Sequence, residues 1–127
     1  MEFTFNSINS KDFNIKIKKS NHLSIPRKKL EFIEVQGRTD NLIIDEGARE
    51  MLDLEIEAFI DCRDLDTKAY ALRLDNWLNN TNGYTDLVFD DNTTLKAVFV
   101  GQIDFNEVVE NFNEILLQFK AYRESDL

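Results

Sequence analysis

One cysteine, one proline, one histidine and one tryptophan occur in 127 residues, and four glycines are scattered at positions 37, 47, 83 and 101. The lone cysteine, Cys62, rules out an internal disulfide framework and fits a reducing compartment. With a single His and a single Cys forty positions apart, the chain lacks the clustered ligands of a zinc site. The isolated glycines make no phosphate-cradling loop. No apolar run approaches the ~18 residues of a membrane span. Met1-Glu2-Phe3-Thr4-Phe5 has neither a basic leader nor an apolar stretch, so a secretory signal is not expected.

Catalytic constellations are equally scarce. His22 stands in a polar connector beside Asn21, with no serine or cysteine nucleophile and third partner spaced to join it, and reads as a surface histidine. Asp61, Asp64 and Asp66 lack the twelve-residue calcium-loop pattern, and helix capping accounts for Asp64 and Asp66. Asp53 and Glu55 lie along an exposed face with no apolar pocket to raise a carboxyl pKa. The residues therefore predict no enzyme, no metal and no cofactor.

What the chain has in quantity is apolar and acidic residues. Hydrophobic residues make up 43% and aromatics 11%, with ten Phe biased toward core filling. At this length the expectation is one domain, residues 1–127, that buries roughly two-thirds of its unfolded surface. The net charge is −9, unevenly spread. Met1 to Arg38 carry eight basic and four acidic residues, a balance of +4; the remainder carries seven and twenty, a balance of −13. Such a division suits head-to-tail contact between identical subunits and disfavours wrapping nucleic acid on the outside. Acidic excess as a simple aid to solubility accounts for the same numbers.

The clearest pattern spans Met51 to Cys62. Leu52, Leu54, Ile56, Ala58, Ile60 and Cys62 alternate with Asp53, Glu55, Glu57 and Asp61, and only Phe59 interrupts the polar set. A period of two predicts a β-strand with one dry face and one carboxylate-lined wet face. Twelve residues would span about 40 Å, roughly twice the usual strand, so an overhanging strand and an assembly are expected. Cys62 falls on the dry side, as a small buried hydrophobe.

Other strands are read at Phe3–Phe5, Phe13–Ile17, Leu30–Val35, Leu42–Ile44, Thr85–Phe89, Leu95–Ile103 and Asn111–Tyr122, with turn chemistry at Asn6–Ser10 and Asp90–Asn92. Helical periodicity occurs once, over Asp66 to Asn80, where Tyr70, Leu74, Trp77 and Leu78 share a face and Asn82-Gly83 ends the run. Leu74, Trp77 and Leu78 are accordingly the candidate core of the helix. Strands before and after a single helix predict a mainly β fold, a β-sandwich or split barrel with one flanking α-helix.

Several segments bear a family resemblance. Phe3-Thr4-Phe5-Asn6-Ser7-Ile8-Asn9-Ser10-Lys11-Asp12-Phe13 resembles the opening of the siphophage distal tail protein family, where an aromatic precedes an N-G-I-x-S-x-x-F turn. Ile25-Pro26-Arg27-Lys28 resembles that family's I-P segment, and Glu34-Val35-Gln36-Gly37-Arg38 its V-P-G-R-x-G loop. Leu74-Asp75-Asn76-Trp77-Leu78 matches its helix ending in W-L. Leu95-Lys96-Ala97-Val98 matches the Y-x-A strand that follows a D-D turn, here Asp90-Asp91. The likeness covers nearly the whole chain. Departures are Ser7 for the first turn glycine, Gln36 for the loop proline and Asp40 for the second loop glycine.

The resemblance implies a tail-tube-like amino-terminal domain with an extended β-hairpin. It implies a ring, hexameric in the family, at the tip of a phage or prophage tail. Such a ring joins the tail tube protein to tip, baseplate or fibre proteins, is assembled in the bacterial cytoplasm and ends in the virion. Asp53, Glu55 and Glu57 would then face a DNA-passing lumen, and Lys16, Lys18, Lys28 and Lys29 a neighbouring subunit. Neither specific nucleic-acid binding nor a membrane is implied. Longer family members carry a second, carbohydrate-binding-like half, to which nothing here corresponds. The alternative is a stand-alone ligand-binding β-sandwich that holds a carbohydrate or peptide on an exposed aromatic such as Tyr84 or Tyr122.

Overall fold

The computed structural model describes residues 1–63, 65–109 and 112–124. Its strands are β1 (Phe3–Phe5), β2 (Ile8–Asn9), β3 (Ile15–Ser20), β4 (Lys28–Ile33), β5 (Leu42–Arg49), β6 (Leu52–Asp61), β7 (Thr85–Phe89), β8 (Thr94–Phe99), β9 (Asn106–Val109) and β10 (Phe112–Tyr122). One helix, α1 (Thr67–Asn79), lies between β6 and β7. Among the described residues eight strands form one antiparallel sheet in the order β2-β1-β7-β8-β10-β6-β3, with β9 also on β10; β4 and β5 form a separate hairpin. The fold is mainly β.

The alternation at 52–61 sets the core. Leu52, Leu54, Ile56, Ala58 and Ile60 are all buried, while Asp53 and Glu55 point to solvent. β10 supplies the matching row, Ile115, Leu117, Phe119 and Ala121. Phe5 on β1 meets Phe119 on β10 at 5.1 Å between ring centroids, although β7 and β8 lie between them in the sheet. Across a flat sheet those strands would stand about 14 Å apart. The sheet therefore curls on itself as a split barrel, and α1 covers the opening with Tyr70, Leu74, Trp77 and Leu78. Each such buried apolar side chain contributes ~1.5–3 kcal/mol.

Asp66 caps α1 by accepting from the backbone N–H of Lys68 and Ala69. Asp64, the other expected cap, lies outside the described residues. Two polar anchors tie the helix to the amino-terminal segment: Tyr70 Oη donates to the Phe13 carbonyl, and Trp77 Nε1 to the Phe5 carbonyl at 2.8 Å.

Several expectations are corrected. Phe13 does not begin a strand; it ends a 3-10 turn, Ser10–Phe13. Asn9 Oδ1 caps that turn and Asn14 closes it at φ 56°, which swings Phe13 beneath the helix to stack on Trp77 at 4.4 Å. Asn6 and Ser7, at φ 51° and 65°, form the tight turn between β1 and β2, so Ile8 and Asn9 are paired strand residues. β8 stops at Phe99 rather than Ile103. A Cβ at Gly101 would sit 3.0 Å from Gln118 Cβ, and after this close approach the chain leaves the sheet and carries Phe105 to Tyr70. The long strand does not overhang: β10 pairs with it from Phe112 opposite Asp61 to Ala121 opposite Leu52. Cys62 is half-buried, and its Sγ takes a 3.0 Å hydrogen bond from Asn113 Nδ2.

The projecting element is the β4–β5 hairpin, longer than the Leu42–Ile44 segment predicts. Its ladder shifts register between Lys28 and Leu30. Gly47 takes up the irregularity at φ +74°, and Asp45 Oδ1 accepts its N–H at 2.9 Å. At the tip, Arg38 grips Asp40 through two hydrogen bonds of 2.7 and 3.1 Å. Asp40 thus joins Arg38 in an ion pair across the tip of the loop.

Candidate functional site

The outer face of the sheet displays the expected acidic row in mixed company. Asp53 pairs with Lys120 of β10, Glu55 stands opposite Gln118, and Glu57, half-buried, stands between Leu116 and Lys19. Lys18 reaches Glu114 at 3.4 Å and lies over the Phe59 ring. Glu55 and Glu57 line a recess of about 210 Å³ with Lys19 and Asn21. A larger recess of about 500 Å³ is walled by Glu57, Asp104, Glu114, Gln102 and Gln118. Asp61 is held at a pKa of about 2 by hydrogen bonds from Arg63. No group of three or more metal-ligating side chains converges among the described residues.

The four candidate interface lysines fall in two places. Lys16 and Lys18 lie on β3, the last strand of the sheet, which pairs on one side only among the described residues. Lys28 and Lys29 lie at the root of the hairpin, both exposed. Beyond them the hairpin is exposed nearly throughout, apolar residues included. Phe32 and its cross-strand partner Ile43 are 59% and 58% exposed, and Ile33 opposite Leu42 leaves apolar surface on the other side. A two-stranded ribbon with apolar side chains on both faces has a strong tendency to be covered.

His22 is the largest departure from expectation. It is buried, 4% exposed, and its ring stacks on Phe89 at 3.9 Å. Nε2 lies 2.8 Å from Asp91 Oδ2 and Nδ1 lies 2.9 Å from Ser20 Oγ. This hydrogen bonding, with that from Thr93, holds the Asp91 carboxyl at a pKa of about 2. Spacing along the chain gave no sign of it, because Asp91 is 69 positions away. The cluster is a clamp: it fastens the connector before the hairpin to the β7–β8 turn, with the imidazole stacked on Phe89.

Folding also brings together two tyrosines far apart in sequence. Tyr84 meets Tyr122 edge-on at 5.1 Å, and its hydroxyl donates to Met51 Sδ at 3.4 Å. With Ala48 they wall a cleft of about 430 Å³, with Lys29, Arg49 and Glu50 at its rim. Its volume is in the range of ligand pockets.

The architecture defines a class: a curled antiparallel sheet closed by one helix, with a projecting hairpin. Among solved structures it is shared by the SPP1 Dit (gp 19.1) protein, described as a paradigm of the hub adsorption apparatus in phages that infect Gram-positive bacteria. That structure superposes with a TM-score of 0.77 over 97% of this chain, at 13% sequence identity. The chain spans about half of it, 49% of its length. At that identity the likeness is one of fold. No family profile and no curated protein sequence matches the chain.

Proposed function

We propose that this chain is a structural subunit of a phage or prophage tail. It forms a ring at the tail tip, hexameric as the family resemblance implies, between the tail tube and the tip or baseplate proteins. The observation that carries this reading is the free-standing hairpin with uncovered apolar residues on both faces, which calls for neighbours. The fold likeness to a phage hub protein supports it. In the ring, Asp53, Glu55 and Glu57 face the lumen, where carboxylates repel DNA phosphates and let the genome slide. Lys16, Lys18, Lys28 and Lys29 lie toward neighbouring subunits. Negative-stain microscopy of the purified chain tests this: six-fold rings with an open centre support it, and isolated particles of subunit size contradict it.

The Tyr84–Tyr122 cleft favours a second reading, a ligand-binding module acting alone. A carbohydrate or peptide that binds the monomer and quenches tyrosine fluorescence would favour that reading over the ring.

A further inference from the structure

The hairpin is polarised along its length. Arg27, Lys28, Lys29 and Arg49 gather at its root with Glu46 and Glu50, a balance of +2, whereas Glu31, Glu34 and Asp45 flank its outer limb; Arg38 and Asp40 at the tip neutralise each other. The apolar pair Phe32 and Ile43 sits within the acidic limb. The aromatic cleft of Ala48, Met51, Tyr84 and Tyr122 sits beside the basic root. A plug and a socket, each bordered by opposite charge, are thus carried by one chain.

We infer that the hairpin limb of one copy lies across the hairpin root of another. Phe32 and Ile43 seat against the Tyr84–Tyr122–Met51 cleft, and the acidic limb meets the net-basic root. The inference deepens the self-assembly reading above and rests on it. The plug cannot serve its own socket: Phe32 is about 10 Å further along the strand than Lys29, which borders the cleft, and it remains exposed. A second copy is the occupant because it brings the complementary charge together with the apolar pair. A phenyl ring against two tyrosines and a thioether makes edge-on and sulfur–aromatic contacts. The hydrogen bond from Tyr84 to Met51 fixes the socket walls in advance.

The test is site-specific photocrosslinking of the full chain. Phe32 is replaced by photoreactive benzoylphenylalanine, which keeps an aromatic plug, and the variant is mixed with isotope-labelled wild-type chain. Irradiation is expected to produce a dimer-mass adduct whose labelled peptide contains Met51, Tyr84 or Tyr122. Adding Ile43→Asp to the photoreactive chain should cut its yield at least fivefold. Adducts only at other peptides, from a chain that light scattering shows to be oligomeric, would overturn this contact and leave the self-assembly reading standing. A chain that is monomeric at every concentration and yields no adduct would overturn both.

Discussion

The indole N–H of Trp77 donates to the carbonyl of Phe5 at 2.8 Å, joining α1 to the first strand across 72 positions. The same ring stacks on Phe13 at 4.4 Å and lies 5.8 Å from Phe3. One side chain therefore closes the curled sheet against the helix and hydrogen-bonds a main-chain carbonyl of the first strand.

Trp77→Ala should destabilise the subunit by roughly 3–5 kcal/mol through lost burial and the cavity left behind. Trp77→Phe keeps an aromatic but removes the indole donor to the Phe5 carbonyl, and should cost about 0.5–1.5 kcal/mol beyond its loss of volume. Urea unfolding followed by circular dichroism measures both. A loss below ~1 kcal/mol for Trp77→Ala would show that the helix is peripheral.

Acid should weaken the fold in a defined window. Asp61 and Asp91 titrate near 2 in the folded chain, against an ordinary value of 3.8, because Arg63 and His22 hydrogen-bond their carboxylates. A depressed folded-state pKa gives stability that is present above pH 4 and lost as pH falls toward 2. Thermal unfolding from pH 5 to pH 2 should show Tm falling through that window. Because the fall from Asp91 depends on His22, His22→Asn should shrink it. An identical pH profile for His22→Asn and wild type would refute the assigned clamp.

Much of the body was legible from period alone. The alternation at 52–61 and the helical face of Tyr70, Leu74, Trp77 and Leu78 each depend on one element burying one face, which sequence spacing reports directly. Asp66 as a cap is equally local. The misreadings arise where tertiary contacts override local pattern. Phe13 alternates with Ile15 and Ile17 yet lies in a 3-10 turn and stacks on Trp77, and Val100 and Ile103 extend the apolar pattern of β8 although the strand ends at Phe99. β9 carries too short a pattern to be recognised. The Ser20–His22–Asp91 clamp and the Tyr84–Tyr122 cleft consist of residues distant in sequence, and no local signal brings them together.

The outer acidic row should matter to DNA only in the assembly. Replacing Asp53, Glu55 and Glu57 by Asn, Gln and Gln removes the carboxylates opposite Lys120 and Lys19 and shifts that face toward positive charge. Assembled rings of this variant should retain duplex DNA in a gel-shift experiment at low salt, where wild-type rings do not, and release it at high salt. Equal DNA retention by both would show that this face does not line the passage.

Charge should steer association. Lys28→Glu with Lys29→Glu reverses two cations of the root, which the proposed contact sets against a neighbour's acidic limb; both side chains are exposed, so the subunit should stay folded. Exposed pairs contribute only about 0–1 kcal/mol each, so several together shift a marginal equilibrium. Sedimentation should show the variant displaced toward monomer, and wild type should follow it as salt shortens the reach of charges to a few Å. An oligomer unchanged at low and high salt, in both proteins, would assign assembly to apolar contacts alone.

The most direct measurement is the solution mass of the chain beside a variant whose hairpin carries Phe32→Asp and Ile43→Asp. Both substitutions replace exposed side chains, so circular dichroism should be unchanged. Light scattering is expected to give a closed oligomer, six subunits in the ring proposed, for wild type and a monomer for the variant. A wild-type monomer at all concentrations, or a variant that assembles as well as wild type, would contradict the assignment of this hairpin as the element that joins the subunits.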